Sequence, residues 1–218
     1  AGFEVFDVAN EKKEHGDSIF KSSQRAGARR KLVNRRIEVS AITYPTPVDK
    51  NTDVEELSKL VDYATYANCE NVIVTLSGDA DEQTLKEKLT PAIKNAETSG
   101  VCILIETVGK YANTENVLSV INLFATAALG VSWNIRETFF TAKETADTTI
   151  QTLGAYINYV RLGDRKEDKD VLIGSGELPV GEFMDALKSL NYDGFVCAEW
   201  NDDIRSYDIV LTHFINFV

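Results

Sequence analysis

Seven short runs rich in β-branched and apolar residues recur along this chain, and each is separated from the next by a longer stretch with helical periodicity. The runs cover residues 3–8, 37–43, 71–76, 101–106, 130–134, 157–162 and 195–199. Parallel strands need crossovers long enough to hold a helix, so this alternation predicts an α/β chain of repeated βα units. Most of the runs, such as Val101-Cys102-Ile103-Leu104-Ile105, are nearly continuous in apolar residues, as strands covered on both faces are. Between them, Thr52-Asp53-Val54-Glu55 reads as a capping box, and Leu57, Leu60, Val61 and Ala64 then fall on one helical face. Further helices are predicted over residues 81–98, 114–127, 143–155, 179–190 and 203–217. Pro91 predicts a kink or a restart after a Thr90 cap. Residues 10–36 are polar and charged with a weak apolar stripe, the pattern of a loosely packed helix or a partly mobile loop. Seven βα units leave two architectures open, because a closed barrel has eight strands and an open sheet reverses its strand order.

With 218 residues, 44% of them hydrophobic, the chain suits a single domain over residues 1–218 with one filled core. A formal charge of -11 repels phosphate backbones and anionic lipid, so neither nucleic acid nor membrane is expected as a partner. No apolar run approaches the roughly 20 residues that span a bilayer, and no basic-then-apolar leader opens the sequence, which reads as soluble and cytoplasmic. Cys69, Cys102 and Cys197 are isolated and read as small buried hydrophobes in a reducing compartment.

The C-terminal half resembles the sugar phosphate isomerases/epimerases, barrels of the xylose isomerase-like type. The resemblance rests on Ile103-Leu104-Ile105-Glu106-Thr107, Trp133-Asn134-Ile135-Arg136-Glu137 and Tyr159-Val160-Arg161-Leu162-Gly163-Asp164. It is most specific from Gly174-Ser175-Gly176-Glu177-Leu178-Pro179, through Leu190-Asn191-Tyr192-Asp193-Gly194-Phe195, to Glu199-Trp200. Ala1-Gly2-Phe3 and Glu38-Val39-Ser40-Ala41 match more loosely. The run is most similar to a barrel domain found fused to AMP-binding synthetase-like modules. The resemblance implies a TIM (β/α) barrel that lacks its first βα unit in this chain, since Ala1-Gly2-Phe3 begins the family's second strand. A neighbouring domain or a self-association partner would then cover the open strand edge.

Members of that family hold a divalent metal with acidic and histidine ligands at the positions matched by 106, 134, 161 and 199, and have His at 137. Here Glu106 and Glu199 are retained, whereas the others are Asn134, Arg161 and Glu137. Arginine has no acceptor atom and brings a positive charge to the cation's position, so the resemblance implies a degraded metal site. No metal ligand and no cofactor is assigned, with weak Mn or Mg binding as an alternative. Neither His15 nor His213 replaces a ligand.

The family's two glutamates shuttle a proton beside a carbonyl through an enediolate, which makes Glu106 and Glu199 the candidate acid/base pair. Arg161 is the candidate replacement for the metal's charge, or else the partner of a salt-bridge cluster left by an eroded site. Trp200, Arg136, Asn134 and Glu137 are candidates for binding a small carbohydrate-like or hydroxy-carbonyl ligand. Lys110, Tyr111 and Arg136 lie on loops where an anionic substrate group would dock, although a solvated surface is the plainer reading for Lys110 and Tyr111. Gly174-Ser175-Gly176 suggests a phosphate cradle but lacks a following lysine, so a turn is the plainer reading there too. Relatives that cut DNA at abasic sites use His-rich metal positions and a basic face, and this sequence has neither. The reading favoured is a non-catalytic binding or scaffolding domain of a larger enzyme; the alternative is an active isomerase or epimerase.

Overall fold

The computed structural model describes residues 2–6, 23–199 and 207–217 of the chain. Its principal strands are β1 (Gly2–Phe6), β2 (Glu38–Thr43), β3 (Asn71–Val74), β4 (Cys102–Glu106), β5 (Leu129–Asn134), β6 (Ile157–Leu162) and, later in the chain, β9 (Phe195–Ala198). The seven runs read from the sequence are these seven strands. They form one sheet in the order β1-β2-β3-β4-β5-β6-β9, and the registers of β1–β2, β2–β3, β3–β4, β5–β6 and β6–β9 are all parallel. A doubly wound sheet reverses its order at a switch point, whereas a β/α barrel adds each strand beside the last. The strand order here is that of the barrel.

The helices are α1 (Arg25–Arg35), α2 (Val54–Ala67), α3 (Glu82–Ser99), α4 (Thr114–Phe124), α5 (Ile135–Phe140), α6 (Ala146–Leu153), α7 (Val180–Ser189) and α8 (Tyr207–Phe217). The residues form two compact units. One comprises Ala1–Ile105 with Val120–Gly130, the other Glu106–Ser119 with Val131–Val218.

In the first unit, α2 buries Leu57, Leu60, Val61 and Ala64, the face its periodicity predicts. Its N-cap is Asp53, whose carboxylate accepts from the Glu55 and Glu56 amides, rather than Thr52. Thr52 instead closes a turn by accepting from the Asp49 amide at 2.9 Å, which takes it out of the capping role. Helix α3 starts from an Asp81 cap and passes through Pro91 without the expected restart. The Thr90 hydroxyl donates back to the Lys86 carbonyl within the same helix, and buried Leu89, Ala92, Ile93 and Ala96 on both sides of the proline supply the packing that offsets a lost backbone bond. Helix α1 occupies part of the polar early stretch and buries only Ala28. It reaches α2 through cation–π contacts, with the Arg25 guanidinium 4.9 Å from the Tyr63 ring centre and 5.2 Å from that of Tyr66.

In the second unit the largest fully buried side chain is Trp133, which donates to the Thr138 hydroxyl at 2.9 Å and packs against Phe183 of α7. Helix α5 and an antiparallel hairpin of β7 (Asp164–Lys166) and β8 (Lys169–Val171) escaped the sequence reading. The hairpin's two-residue turn places Glu167 and Asp168 at φ 50° and 62°, the left-handed pair that a tight hairpin requires. The segment is Asp-Arg-Lys-Glu-Asp-Lys-Asp, with neither apolar alternation nor an Asn-Gly signal to reveal it. Among the described residues, no helix is long and apolar enough to cross a membrane.

Candidate functional site

Glu106 is the last residue of β4 and Asn134 the last of β5. Arg161 lies one residue from the end of β6, and Glu199 directly follows β9. Parallel pairing places Asn134 opposite Arg161, and the Glu199 amide continues the ladder by donating to the Leu162 carbonyl at 2.9 Å. The four residues therefore meet at the carboxyl ends of their strands, all within the second unit.

Asn134 is the hub. Its Oδ1 accepts from the Glu137 amide at 3.2 Å and so caps α5. That bond sets the amide's orientation and turns Nδ2 the other way, where it donates to Glu106 Oε1 at 2.9 Å and to Glu199 Oε2 at 3.0 Å. The backbone of Asn134 is pinned as well, because its N–H donates to the Thr107 hydroxyl at 2.8 Å. Arg161, only 3% exposed, brings Nε to 3.3 Å from Glu106 Oε1. Glu106 is buried while Glu199 keeps about a quarter of its side chain exposed.

Arg136, in the first turn of α5, takes Glu199 from the other side. Its Nη2 lies 3.4 Å from Glu199 Oε1, Nη1 is 3.3 Å from Asp170 Oδ1 on β8, and Nε is 3.9 Å from Glu137 Oε1. Gly163 leaves space for this reach, since a Cβ there would stand 2.9 Å from the Glu199 carbonyl and 3.5 Å from the Arg136 stem. Three carboxylates thus engage Arg136, the residue read as a docking point for an anionic substrate group. Glu137 also accepts from the Thr141 hydroxyl at 3.0 Å. Trp200 and His15 lie outside the described residues.

Tyr111 is 3% exposed, not solvated, and burial raises the pKa of its hydroxyl above the usual tyrosine range. Lys110 is exposed, with Nζ 5.7 Å from the Tyr111 ring centre. His213 binds the Ile173 carbonyl through Nε2 at 2.6 Å, a packing role. Cys69 is buried and Cys102 and Cys197 are partly so, all three unbridged. The Gly174-Ser175-Gly176 loop is folded around an internal carboxylate. The Gly174 and Gly176 amides donate to Asp164 Oδ2 at 2.9 and 2.8 Å, so the turn reading describes it.

Sequence reasoning missed Asp170 and Asp164 as members of this neighbourhood. The only signal for Asp164 was its position just past a site strand, and Asp170 belongs to the unforeseen hairpin. Among the described residues, no group of three or more His, Cys, Asp and Glu side chains is arranged to hold a metal ion.

The parallel strand order agrees with a comparison across known proteins. Residues 1–212 match the model of a family described as the xylose isomerase-like TIM barrel. The chain belongs to this family. None of the curated proteins matches it. Among solved structures, a xylose isomerase domain protein from Planctomyces limnophilus superposes with a TM-score of 0.79 at 13% identity, covering 99% of this chain and 86% of that one. D-allulose 3-epimerase from Methylomonas sp., in complex with D-allulose, gives 0.67 at 16% identity over 87% and 74% of the two chains. The IolI protein with a binding zinc atom gives 0.73 at 16% identity over 91% and 78%. At such identities the likeness establishes the fold, and within this xylose isomerase-like barrel the chemistry rests on the residues above.

Proposed function

We propose that this xylose isomerase-like barrel binds a small carbohydrate-like or hydroxy-carbonyl ligand and serves as a non-catalytic binding or scaffolding domain of a larger enzyme, its divalent-metal site degraded. The observation that carries this reading is the Asn134 amide nitrogen, which lies 2.9 and 3.0 Å from the two carboxylates that would flank a cation. Two carboxylates converging on one point repel unless a positive charge or a donor stands between them. Here a donor does. A guanidinium, with no acceptor atom, reinforces it from the Arg161 side, and these residues do not fit a divalent cation. The zinc of IolI and the bound D-allulose of the Methylomonas epimerase belong to those proteins; what supports a ligand here is the shared fold and the cluster of polar groups at the strand ends. A neighbouring AMP-binding synthetase-like module is the partner that the sequence resemblance suggests for the scaffolding role.

One observation favours a second reading, an active isomerase or epimerase. Glu106 is buried beside Arg161 and Glu199 is partly open, and an acid/base pair needs such unlike environments. Arg161 would then stabilise the enediolate oxygen. The two readings separate in deuterated water. A panel of ketoses incubated with the protein should exchange no carbon-bound hydrogen, and metal analysis should find no stoichiometric Mn, Mg or Zn. Exchange that disappears in Glu106→Gln would replace the scaffolding reading with the catalytic one.

A further inference from the structure

The loop after β6 is an anion cradle that the chain fills itself. Asp164, 1% exposed, receives four backbone N–H groups. Oδ1 accepts from Arg165 at 2.8 Å and Leu178 at 3.1 Å, and Oδ2 from Gly174 at 2.9 Å and Gly176 at 2.8 Å. Convergent amides from a glycine-bearing loop are the arrangement with which proteins hold phosphate oxygens. Gly174 takes φ 81° to aim its amide, and Gly176 brings its backbone so close that a Cβ would collide with Asp164 Oδ1 and stand 2.5 Å from the Arg165 carbonyl. The geometry is thus built around a resident carboxylate, with no space left for a second anion.

The arginines near this mouth are engaged in the same way. Arg136 meets Asp170, Glu199 and Glu137, and Arg161 meets Glu106. Arg165 lies 4.2 Å over the Phe140 ring and 3.9 Å from Asp168. Around Arg136 and Arg161, four carboxylates face two guanidiniums, so the local field repels anions.

We infer that Asp164 is a specificity-determining residue: it stands in for a ligand phosphate, and the mouth admits an uncharged polyol or hydroxy-carbonyl compound while rejecting its phosphorylated form. This rests on the proposal that the mouth binds a carbohydrate-like ligand, but the cradle can be tested without any sugar.

The test follows the backbone amide resonances of Gly174 and Gly176 in the ¹⁵N-labelled full chain during titration with inorganic phosphate, against chloride at matched ionic strength. In the wild type neither amide should shift saturably. In Asp164→Ser, which frees the four N–H groups, both should shift, with phosphate binding roughly tenfold or more tighter than in the wild type, the least that one regained charge-assisted hydrogen bond supports. Saturable shifts in the wild type would overturn the inference, as would a folded Asp164→Ser protein that gains no phosphate binding. If Asp164→Ser does not fold, the wild-type titration alone still decides. A parallel titration compares a free ketose with its phosphate ester: tighter binding of the ester overturns the inference. A chain that binds neither sugar, with the phosphate results as expected, removes the proposed ligand-binding function and leaves the self-filled cradle standing.

Discussion

Replacing Asn134 by Asp changes one atom of the hub from donor to acceptor and leaves its cap intact, since Asp accepts from the Glu137 amide as well as Asn does. What is lost is the pair of bonds to Glu106 and Glu199 at 2.9 and 3.0 Å. A hydrogen bond to a charged group contributes about 1.5–3 kcal/mol when buried, and less where water competes. Taking the lower half of that range for buried Glu106 and about 1 kcal/mol for the partly exposed Glu199, the substitution should cost roughly 3 kcal/mol at neutral pH before any repulsion. For a chain of this length that is a fall in Tm of about 6–12 °C.

The third carboxylate also makes the loss depend on pH. An aspartate introduced between two carboxylates has its own folded pKa raised by them, and a group with a raised folded pKa stabilises below its unfolded value of about 3.9 and loses that contribution as pH rises. The deficit of Asn134→Asp relative to wild type should therefore shrink toward pH 4 and reach its full size at pH 7. Denaturant unfolding of both proteins across that range measures it. Equal stability at pH 7, or a deficit that does not vary with pH, would refute the placement of the amide between the two glutamates.

Arg136→Met removes the guanidinium shared by Asp170, Glu199 and Glu137; stability in urea unfolding at pH 7 should drop by about 1–2 kcal/mol, discounted for partial exposure, and a change within about 0.5 kcal/mol would count against the cluster. Gly176→Ala forces a Cβ against the Asp164 carboxylate and should destabilise by about 1–3 kcal/mol; a change within about 0.5 kcal/mol in a urea melt would contradict the tight loop. Burial pushes the Cys102 thiol from 9.0 up to about 11, so iodoacetamide should label it slowly at pH 8 and faster with each unit of pH, and rapid labelling at pH 8 would be inconsistent with that burial. Because the unfolded thiol ionises first, the same group should lower fold stability as pH rises from about 9 to about 11.

The pairing of Glu106 with Arg161 was among the alternatives that residue chemistry alone could pose, because a buried guanidinium next to a carboxylate has few other solutions. Which glutamate Arg161 would meet, and that Asn134 would bridge both, needed the strand registers. The cap at Asp53 in place of Thr52 shows the same limit at small scale, since two adjacent residues carried equivalent capping oxygens and only the turn at Asp49 decided between them. The acidic surroundings of Arg136 were hidden for a related reason. Its partner Asp170 sits on a hairpin that charged residues hide from any hydrophobic periodicity, so its neutralisation left no trace in local sequence.

Periodicity along the chain determined seven strands and most of the helices between them, because apolar spacing and burial are local consequences of residue order, while the two glutamates at strand ends came from the family resemblance. Tertiary structure decided how the strand-end polar residues meet: Asn134 turned by its cap toward both carboxylates, Arg161 set against Glu106, and Arg136 drawn among three acids. The Asn134 contacts join residues 28 and 65 apart in the chain, and no local pattern encodes which groups meet across that separation.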